Sequence, residues 1–174
     1  ALLWAGLLWA GCVSQYKVVV DFSPELRGYF TEYPTLEVDI AAVTDGEAGE
    51  VKQAGVEKYF APDSGFRERL QSQTCFFSRE DAARFVLPSR AQIWQDWRIK
   101  EPTNILVIAS LPHDSSMSPE ADPRQLVVKM KNSYVFARTL YVLVEPKKVI
   151  QISRSRAESQ SEDAQSYEQW VETR

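Results

Sequence analysis

Short runs of β-branched and aromatic residues recur along this chain with turn residues between them, and this pattern limits the possible folds most. Two other stretches, residues 56–70 and 89–97, favour short helices, and nothing alternates regularly as strand–helix–strand. The pattern predicts a mainly β protein, an antiparallel β-sandwich of about seven strands with short helical insertions. The predicted strands are residues 16–22, 35–44, 74–78, 104–110, 125–131, 139–145 and 149–152.

Two of these runs indicate where the core lies. Residues 104–110 are the most hydrophobic run, which predicts a central strand buried on both sides. In the second run, apolar residues alternate with Glu37 and Asp39, which predicts a strand with one solvated face. Nine residues are expected in one core: Leu36, Val38, Ile40, Ile105, Val107, Leu126, Val128, Leu140 and Val142.

The first dozen residues are a separate feature, an apolar stretch that runs into Cys12. A bilayer-spanning helix needs roughly 20 apolar residues, so this stretch is too short to span a membrane. Its length suits the apolar part of a secretory signal, and its apolar residues are continuous rather than periodic. The alternative is a buried apolar helix of a globular core. We predict that residues 1–11 are a signal segment outside the folded domain.

The last five residues of that stretch, Leu8 to Cys12, resemble the bacterial lipobox, with small residues just before the cysteine. The resemblance implies that the chain is cut before Cys12 and that Cys12 carries diacylglycerol and a further acyl chain such as palmitate. Membrane lipid is then a partner through acylated Cys12. Val13 in place of an aspartate suggests the outer membrane, on the inner leaflet that faces the periplasm.

The rest of the chain is divided by composition. Residues 12–152 are predicted to form the β-sandwich domain, and residues 153–174, rich in Ser, Glu, Gln and Arg, a polar and mobile tail. The net charge of −4 and a pI near 5.2 argue against a nucleic-acid partner, because phosphate binding requires a basic face. Cys75 lies beside two phenylalanines and is expected to be a buried, inert thiol.

The sequence offers little catalytic chemistry. His113 is the single histidine, which excludes most multi-histidine metal sites. A hydrolase that uses His113 is one reading, but no nucleophile-elbow pattern is present and a solvated loop is the simpler interpretation. We therefore predict no enzyme activity, no catalytic residue, no metal and no cofactor. Trp94 and Trp97 share a helix face, which either docks the helix onto the sheet or stacks on a sugar.

The loop after the first strand is the best candidate for an interaction surface. It mixes aromatic and charged residues, as protein interfaces do, and the alternative is that it folds back onto the end of the sandwich. The predicted partner-binding residues are Tyr29, Phe30 and Tyr33, with Arg27 and Glu32 at the rim. A lipoprotein that binds a small ligand or glycan through Trp94 and Trp97 is the alternative function.

The order of these features resembles the TssJ family, the outer-membrane lipoproteins of type VI secretion systems. A lipobox leads almost directly to the first strand, which ends at Asp21-Phe22-Ser23-Pro24-Glu25, and residues 34–40 and 104–110 are similar to later strands of the family. The resemblance implies a small β-sandwich that acts as a non-enzymatic, membrane-anchored scaffold. It also implies that the loop at residues 23–33 binds the periplasmic part of the inner-membrane protein TssM.

Overall fold

The computed structural model describes residues 16–26, 35–78, 84–112, 118–131, 138–163 and 168–170. Nine strands occur among these residues, and they form two sheets. The strands are β1 (Tyr16–Phe22), β2 (Thr35–Val43), β3 (Gln73–Ser78), β4 (Arg84–Leu87), β5 (Asn104–Ala109), β6 (Gln125–Lys129), β7 (Arg138–Glu145), β8 (Lys148–Ile152) and β9 (Glu168–Trp170). The helices are α1 (Asp45–Phe60), α2 (Phe66–Leu70), α3 (Ile93–Arg98) and α4 (Arg154–Asp163), with a 3₁₀ turn at Pro119–Ala121.

The two sheets form the predicted β-sandwich. The five-stranded sheet has the order β8-β7-β1-β4-β9, and the four-stranded sheet has the order β3-β2-β5-β6. All pairs in the four-stranded sheet are antiparallel. The five-stranded sheet contains two parallel pairs, β1 with β7 and β4 with β9, so the expected purely antiparallel arrangement is corrected there.

The core lies between the sheets, where alternation along each strand predicted it. Every residue of β5 is buried, and β5 lies between β2 and β6 in the order of the sheet, as expected for a central strand. Seven of the nine predicted core residues are buried in one cluster, and Leu126 and Val128 pack against that cluster partly buried. Cys75 is buried as well, and its thiol donates to the Val38 carbonyl oxygen at 3.3 Å. Burial raises the pKa of this thiol, which keeps it in the unreactive protonated form.

Helix α1 is much longer than the one or two turns that the sequence predicted. It begins in a capping box, in which Thr44 Oγ1 accepts the Glu47 N–H and Glu47 accepts the Thr44 N–H. Gly55 interrupts the helical backbone with φ at +79°, where a side chain would be strained and would lie 3.4 Å from Pro119. The glycines weaken the apolar periodicity on which a prediction from sequence depends.

Residues 154–163 differ from the mobile tail expected from composition, because they form helix α4 against the five-stranded sheet. Ala157 is 1% exposed and packs with Leu143 and Ile152 in a small second cluster. One small apolar residue among polar ones supplies little periodicity, so composition alone indicated a mobile segment. Strand β9 then pairs with β4.

Candidate functional site

Strand β1 extends from one end of the sandwich to the other, so its first and last residues mark the two ends. Tyr16 begins the strand beside α3, where its hydroxyl accepts the Lys131 N–H at 2.8 Å and its ring centroid is 6.4 Å from that of Trp94. Phe22 finishes the strand at the opposite end, stacked on Phe77 with ring centroids 4.1 Å apart. We call these the Tyr16 end and the Phe22 end. Extended backbone of this length separates them by about 20 Å.

The Phe22 end holds both flanks of the loop that the sequence indicated as an interaction surface. After β1, the Ser23 N–H donates to the Val144 carbonyl oxygen at 2.9 Å, and the Leu26 N–H donates to the Ser23 carbonyl oxygen at 2.9 Å. Leu26 is buried in the core, so the chain is fixed up to this residue. It returns to the sheet at Thr35, which is exposed at the same end. Residues 27–34 therefore connect two fixed points at the Phe22 end.

The residues predicted to carry function fall in parts of the chain that the structure does not describe. They are Cys12, His113 and the loop residues Arg27, Tyr29, Phe30, Glu32 and Tyr33. Their roles stay predictions. The structure does fix the chain on either side of the loop and immediately after the predicted anchor segment.

The tryptophans on α3 are buried, and the reading of them as a sugar-stacking platform is wrong. Trp97 is 0% exposed and Trp94 is 7% exposed, and the two rings pack edge to face. Trp97 Nε1 donates to the Leu70 and Gln71 carbonyl oxygens, and Trp94 Nε1 donates to the Pro88 carbonyl oxygen. Both indole rings are buried and both indole N–H groups are hydrogen-bonded. These side chains therefore join α3 to the domain and leave no ring face for a ligand.

The Tyr16 end carries one exposed apolar side chain and several exposed basic ones. Ile99 follows α3 and is 85% exposed. Five exposed basic side chains lie at this end, and we call them the basic rim: Arg90, Arg98, Lys129, Lys131 and Arg138. Within the described part of the chain, no ion pair joins a member of the basic rim to a carboxylate.

Two of the carboxylates at the Tyr16 end, those of Glu47 and Asp45, bond to groups within the domain. Glu47 is in the capping box of α1 and pairs with Lys100 at 3.8 Å. Asp45 accepts a hydrogen bond from Asn104, and this bond together with the charge of Lys129 lowers the pKa of Asp45. Asp96 and Glu101 lie in and just after α3, and with Asp45 and Glu47 they are four carboxylates against Lys100 and the five side chains of the basic rim, although the whole chain carries −4.

The face of β2 predicted to be solvated is covered instead, and this expectation is corrected. Asp39 is 0% exposed, and its carboxylate accepts two hydrogen bonds from Arg67, with Nε at 2.8 Å, and one from the Tyr59 hydroxyl at 3.0 Å. Arg67 also pairs with Glu37 at 2.7 Å and lies over the Phe60 ring. Alternation indicated which face these carboxylates share, but it carries no information on what covers that face.

Electrostatics in this cluster favours the ion pair. Burial would lower the pKa of Arg67, but the carboxylates of Asp39 and Glu37 raise it. Burial, followed by the charge of Asp39, raises the pKa of Tyr59, so its hydroxyl keeps the proton that it donates. The cluster therefore joins helices α1 and α2 to the sheet.

Two further arginines connect surface segments to the sandwich. Arg124 is 3% exposed and bonds Asp122, the Leu111 carbonyl oxygen and Glu57 of α1. Arg84 of β4 forms two hydrogen bonds with Asp21 of β1 and donates to the Ala157 carbonyl oxygen of α4 at 3.0 Å. Sequence reasoning missed the Arg84–Asp21 and Arg124–Glu57 pairs, because partners distant in the chain leave no local signal.

A groove of about 680 Å³ lies between α1 and α2. Its sides include Glu50 and Arg69, which form an exposed ion pair at 2.6 Å, and Phe66, over which Arg69 stacks. The groove is open to solvent, and the charges of Glu50 and Arg69 beside it are paired with each other.

No helix in the described ranges has the length and apolar character needed to cross a bilayer. Among the same residues, no three His, Cys, Asp or Glu side chains are grouped so that they could hold a metal ion.

Comparison with known proteins gives a structural likeness without a sequence match. No protein-family model and no curated protein sequence matches the chain. The chain is similar to the structure of Serratia marcescens Lip, a membrane bound component of the Type VI Secretion System. The TM-score is 0.55 at 10% identity, over 82% of this chain and 99% of that one.

Two more solved structures are similar at lower scores. The T6SS lipoprotein TssJ1 from Pseudomonas aeruginosa gives a TM-score of 0.46 at 10% identity, over 80% of this chain and 95% of that one. The TssM C-terminal domain from EAEC gives 0.49 at 8% identity, over 79% of this chain and 99% of that one. Scores this low do not establish a shared fold, so the assignment depends on Lip. On that basis this chain has the β-sandwich fold of the TssJ/Lip lipoproteins, as its order of sequence features predicted.

Proposed function

We propose that this chain is a lipid-anchored protein of the bacterial cell envelope that acts as a non-enzymatic scaffold in a type VI-like secretion apparatus. The observation that carries the proposal is the separation of the two ends of β1. The predicted anchor precedes Tyr16 at one end, and the predicted partner loop follows Phe22 at the other. The likeness to Lip, a membrane bound component of the Type VI Secretion System, supports the envelope location.

The distance between anchor and domain is short. Four residues separate the Cys12 position from Tyr16, which allows at most about 14 Å of extended chain. Tyr16 is itself held by Lys131 and Trp94. An acylated Cys12 would therefore hold the Tyr16 end close to the bilayer. We assign that bilayer to the outer membrane, on the leaflet that faces the periplasm.

The same geometry directs the Phe22 end away from the membrane. Residues 27–34 would then lie about 20 Å farther from the bilayer than Tyr16, given the length of β1. A loop in that position can meet the periplasmic part of an inner-membrane protein such as TssM. Tyr29, Phe30 and Tyr33 would form the apolar centre of the contact, with Arg27 and Glu32 at its rim.

The buried charges support a structural rather than a catalytic role. The Asp39–Arg67 and Asp21–Arg84 pairs each join two segments of the fold, and Arg124 joins its segment to α1 through Glu57. The charged groups that are buried in the described residues thus connect elements of the sandwich.

The anchor is tested by Cys12→Ser in the native host. We expect the wild-type chain in the outer-membrane fraction of a density gradient and the variant released from membranes or retained as an unprocessed precursor. Metabolic labelling with palmitate should label wild type and spare the variant. A Cys12→Ser chain that is processed and stays in the outer membrane would contradict the anchor.

The partner loop is tested by alanine substitution of Tyr29, Phe30 and Tyr33 together. We expect loss of the inner-membrane partner from envelope pull-downs with an unchanged melting temperature. Phe76→Ala is the matched control, since Phe76 is 54% exposed on β3 outside this loop and should keep the partner. Retained partner in the triple variant would exclude the loop, and a large drop in melting temperature would show that these rings belong to the core.

A further inference from the structure

We propose that the Tyr16 end docks directly onto an anionic phospholipid surface, so that the domain contacts the bilayer as well as being tied to it. This inference depends on the proposed anchor at Cys12. In the docked state Ile99 enters the boundary between headgroups and acyl chains, and the basic rim contacts lipid phosphates.

The first observation is the pairing of charge and apolar exposure at one end. No member of the basic rim forms an ion pair with a described carboxylate, and Ile99, at the same end of the sandwich, is 85% exposed. Basic side chains around an apolar residue are typical of surfaces that bind anionic membranes. The overall charge of −4 makes the local excess of basic residues informative, because it does not follow from composition.

The second observation is the position of Tyr16, at the start of β1, beside the basic rim. Its hydroxyl accepts the backbone N–H of Lys131, and it pairs with Arg138 of β7 in the sheet. A segment of four residues from Cys12 therefore holds this surface within about 14 Å of the lipid. A charged surface at that distance lies within roughly two Debye lengths of the headgroups at physiological ionic strength.

The third observation is the rigidity of the support. Trp94 and Trp97 bury the inner side of α3 and use their indole N–H groups to fix it. Arg98 and Ile99 at the end of α3 are consequently presented outward from a fixed helix. A rigid surface pays little conformational entropy when it docks.

The experiment measures the depth of position 99 in lipid. The lipidated full chain carrying Ile99→Cys is labelled with a polarity-sensitive fluorophore and reconstituted in vesicles of phosphatidylglycerol and phosphatidylethanolamine, or of phosphatidylcholine alone. Cys75 is buried and should not react. Acrylamide serves as quencher because it is neutral and is not repelled by either vesicle. Phe76→Cys, labelled in the same way, is the matched control on an exposed side chain outside the Tyr16 end.

We expect the label at position 99 to be quenched severalfold less in anionic than in zwitterionic vesicles, with the label at position 76 equally quenched in both. Adding Arg98→Glu and Lys131→Glu to the Ile99→Cys chain should restore quenching in anionic vesicles. Equal quenching of position 99 in the two lipids, with or without charge reversal, would overturn the proposal. Protection in native envelope membranes but not in anionic vesicles would also overturn it, because the contact would then be with a protein.

Failure of the anchor gives a different result. If Cys12 carries no lipid, its thiol takes up the fluorophore and the chain does not float with the vesicles, which overturns both proposals. A chain that floats through its acyl chains but leaves position 99 in water retains the anchor and overturns the docking surface alone.

Discussion

The outer faces of the two sheets are both covered by helices, but the coverings differ in how they join the core. On the four-stranded sheet, α1 and α2 bury Ala41, Leu106 and Ile108, and these residues belong to the main core cluster. On the five-stranded sheet, α4 covers a separate small cluster of Leu143, Ile152 and Ala157. The Asp39–Arg67 pair lies on the outer face of the four-stranded sheet, and the Asp21–Arg84 pair lies on that of the five-stranded sheet. The four-stranded side is therefore part of the cooperative domain, and α4 is an addition to it.

Chain connectivity explains the difference. Helices α1 and α2 lie between two neighbouring strands of one sheet, β2 and β3, so both of their ends are fixed by that sheet. Helix α4 connects β8 to the three-residue β9, which are the two edge strands of the five-stranded sheet, and it packs on that sheet through Ala157, Tyr141 and Ile150. A segment with few buried apolar contacts opens at a lower free energy than the core does.

Among substitutions that remove a hydrogen-bonding or charged partner, the largest effect is expected at Arg67. Arg67→Met leaves the Asp39 carboxylate buried with only the Tyr59 hydroxyl to compensate it, and loss of one partner of a buried pair costs about 3–5 kcal/mol. Arg67 is about one-third exposed, which places the expected loss at the lower end of that range. Urea unfolding measures it. Asp39→Asn added to Arg67→Met should recover part of the loss, and no recovery would exclude the unpaired charge as the cause.

A smaller effect is expected at Arg84. Arg84→Met removes the partner of Asp21 and the hydrogen bond to the Ala157 carbonyl oxygen. Burial already raises the pKa of Asp21, so this carboxyl can take up a proton when Arg84 is lost, and we expect the cost of an unsatisfied buried group, about 1–3 kcal/mol. Faster hydrogen exchange in residues 154–159 should accompany the loss, because α4 loses its bond to β4. An Arg84→Met chain less stable than Arg67→Met would reverse the comparison between the two faces.

The capping box of α1 has the next effect in size. Thr44→Ala removes the acceptor for the Glu47 N–H, and loss of such a cap costs about 1 kcal/mol. Since α1 belongs to the main core, the change should lower the stability of the whole domain in one cooperative transition. Thr44→Ser keeps the oxygen and serves as control. If α1 alone opened more easily and the free energy of global unfolding stayed unchanged, α1 would, like α4, be an addition to the cooperative domain.

Sequence reasoning succeeded where burial follows from alternation and failed where it depends on distant partners. Strand β5 was predictable because a continuous apolar run indicates burial on both faces, and alternation along β2 indicated which of its residues face the core. Asp39 was misread because its partner Arg67 lies 28 residues away, and α1 was shortened because glycines hide its pattern. Ile99 gave no local signal, because a single exposed isoleucine is ordinary until the fold brings basic residues to the same end of the sandwich.

The functional residues show the same division. The apolar stretch before Cys12 and the aromatic loop after β1 were recognisable from local composition. That they flank opposite ends of the sandwich could be inferred only from the direction of β1 in the structure. The basic rim comes from four separate segments, residues 90, 98, 129–131 and 138, and only the folded chain joins them.

The smallest global effect is expected at Ala157, and it separates the two faces most directly. Ala157→Asp puts a carboxylate at a position that is 1% exposed, so α4 should detach rather than bury the charge. The midpoint of global unfolding should shift by less than about 0.5 kcal/mol in free energy, because α4 opens separately from the core. Limited proteolysis should cut residues 154–163 much faster than in the wild-type chain.

Ala48→Asp is the matched substitution on α1, since Ala48 is 5% exposed and lies in the main cluster. It should destabilise the whole domain by several kcal/mol, because α1 cannot detach without exposing the outer face of the four-stranded sheet. Equal global losses for Ala48→Asp and Ala157→Asp would mean that α4 is as much a part of the cooperative unit as α1. A domain that keeps its midpoint while residues 154–163 become cleavable would confirm that α4 is an addition to a sandwich that is stable without it.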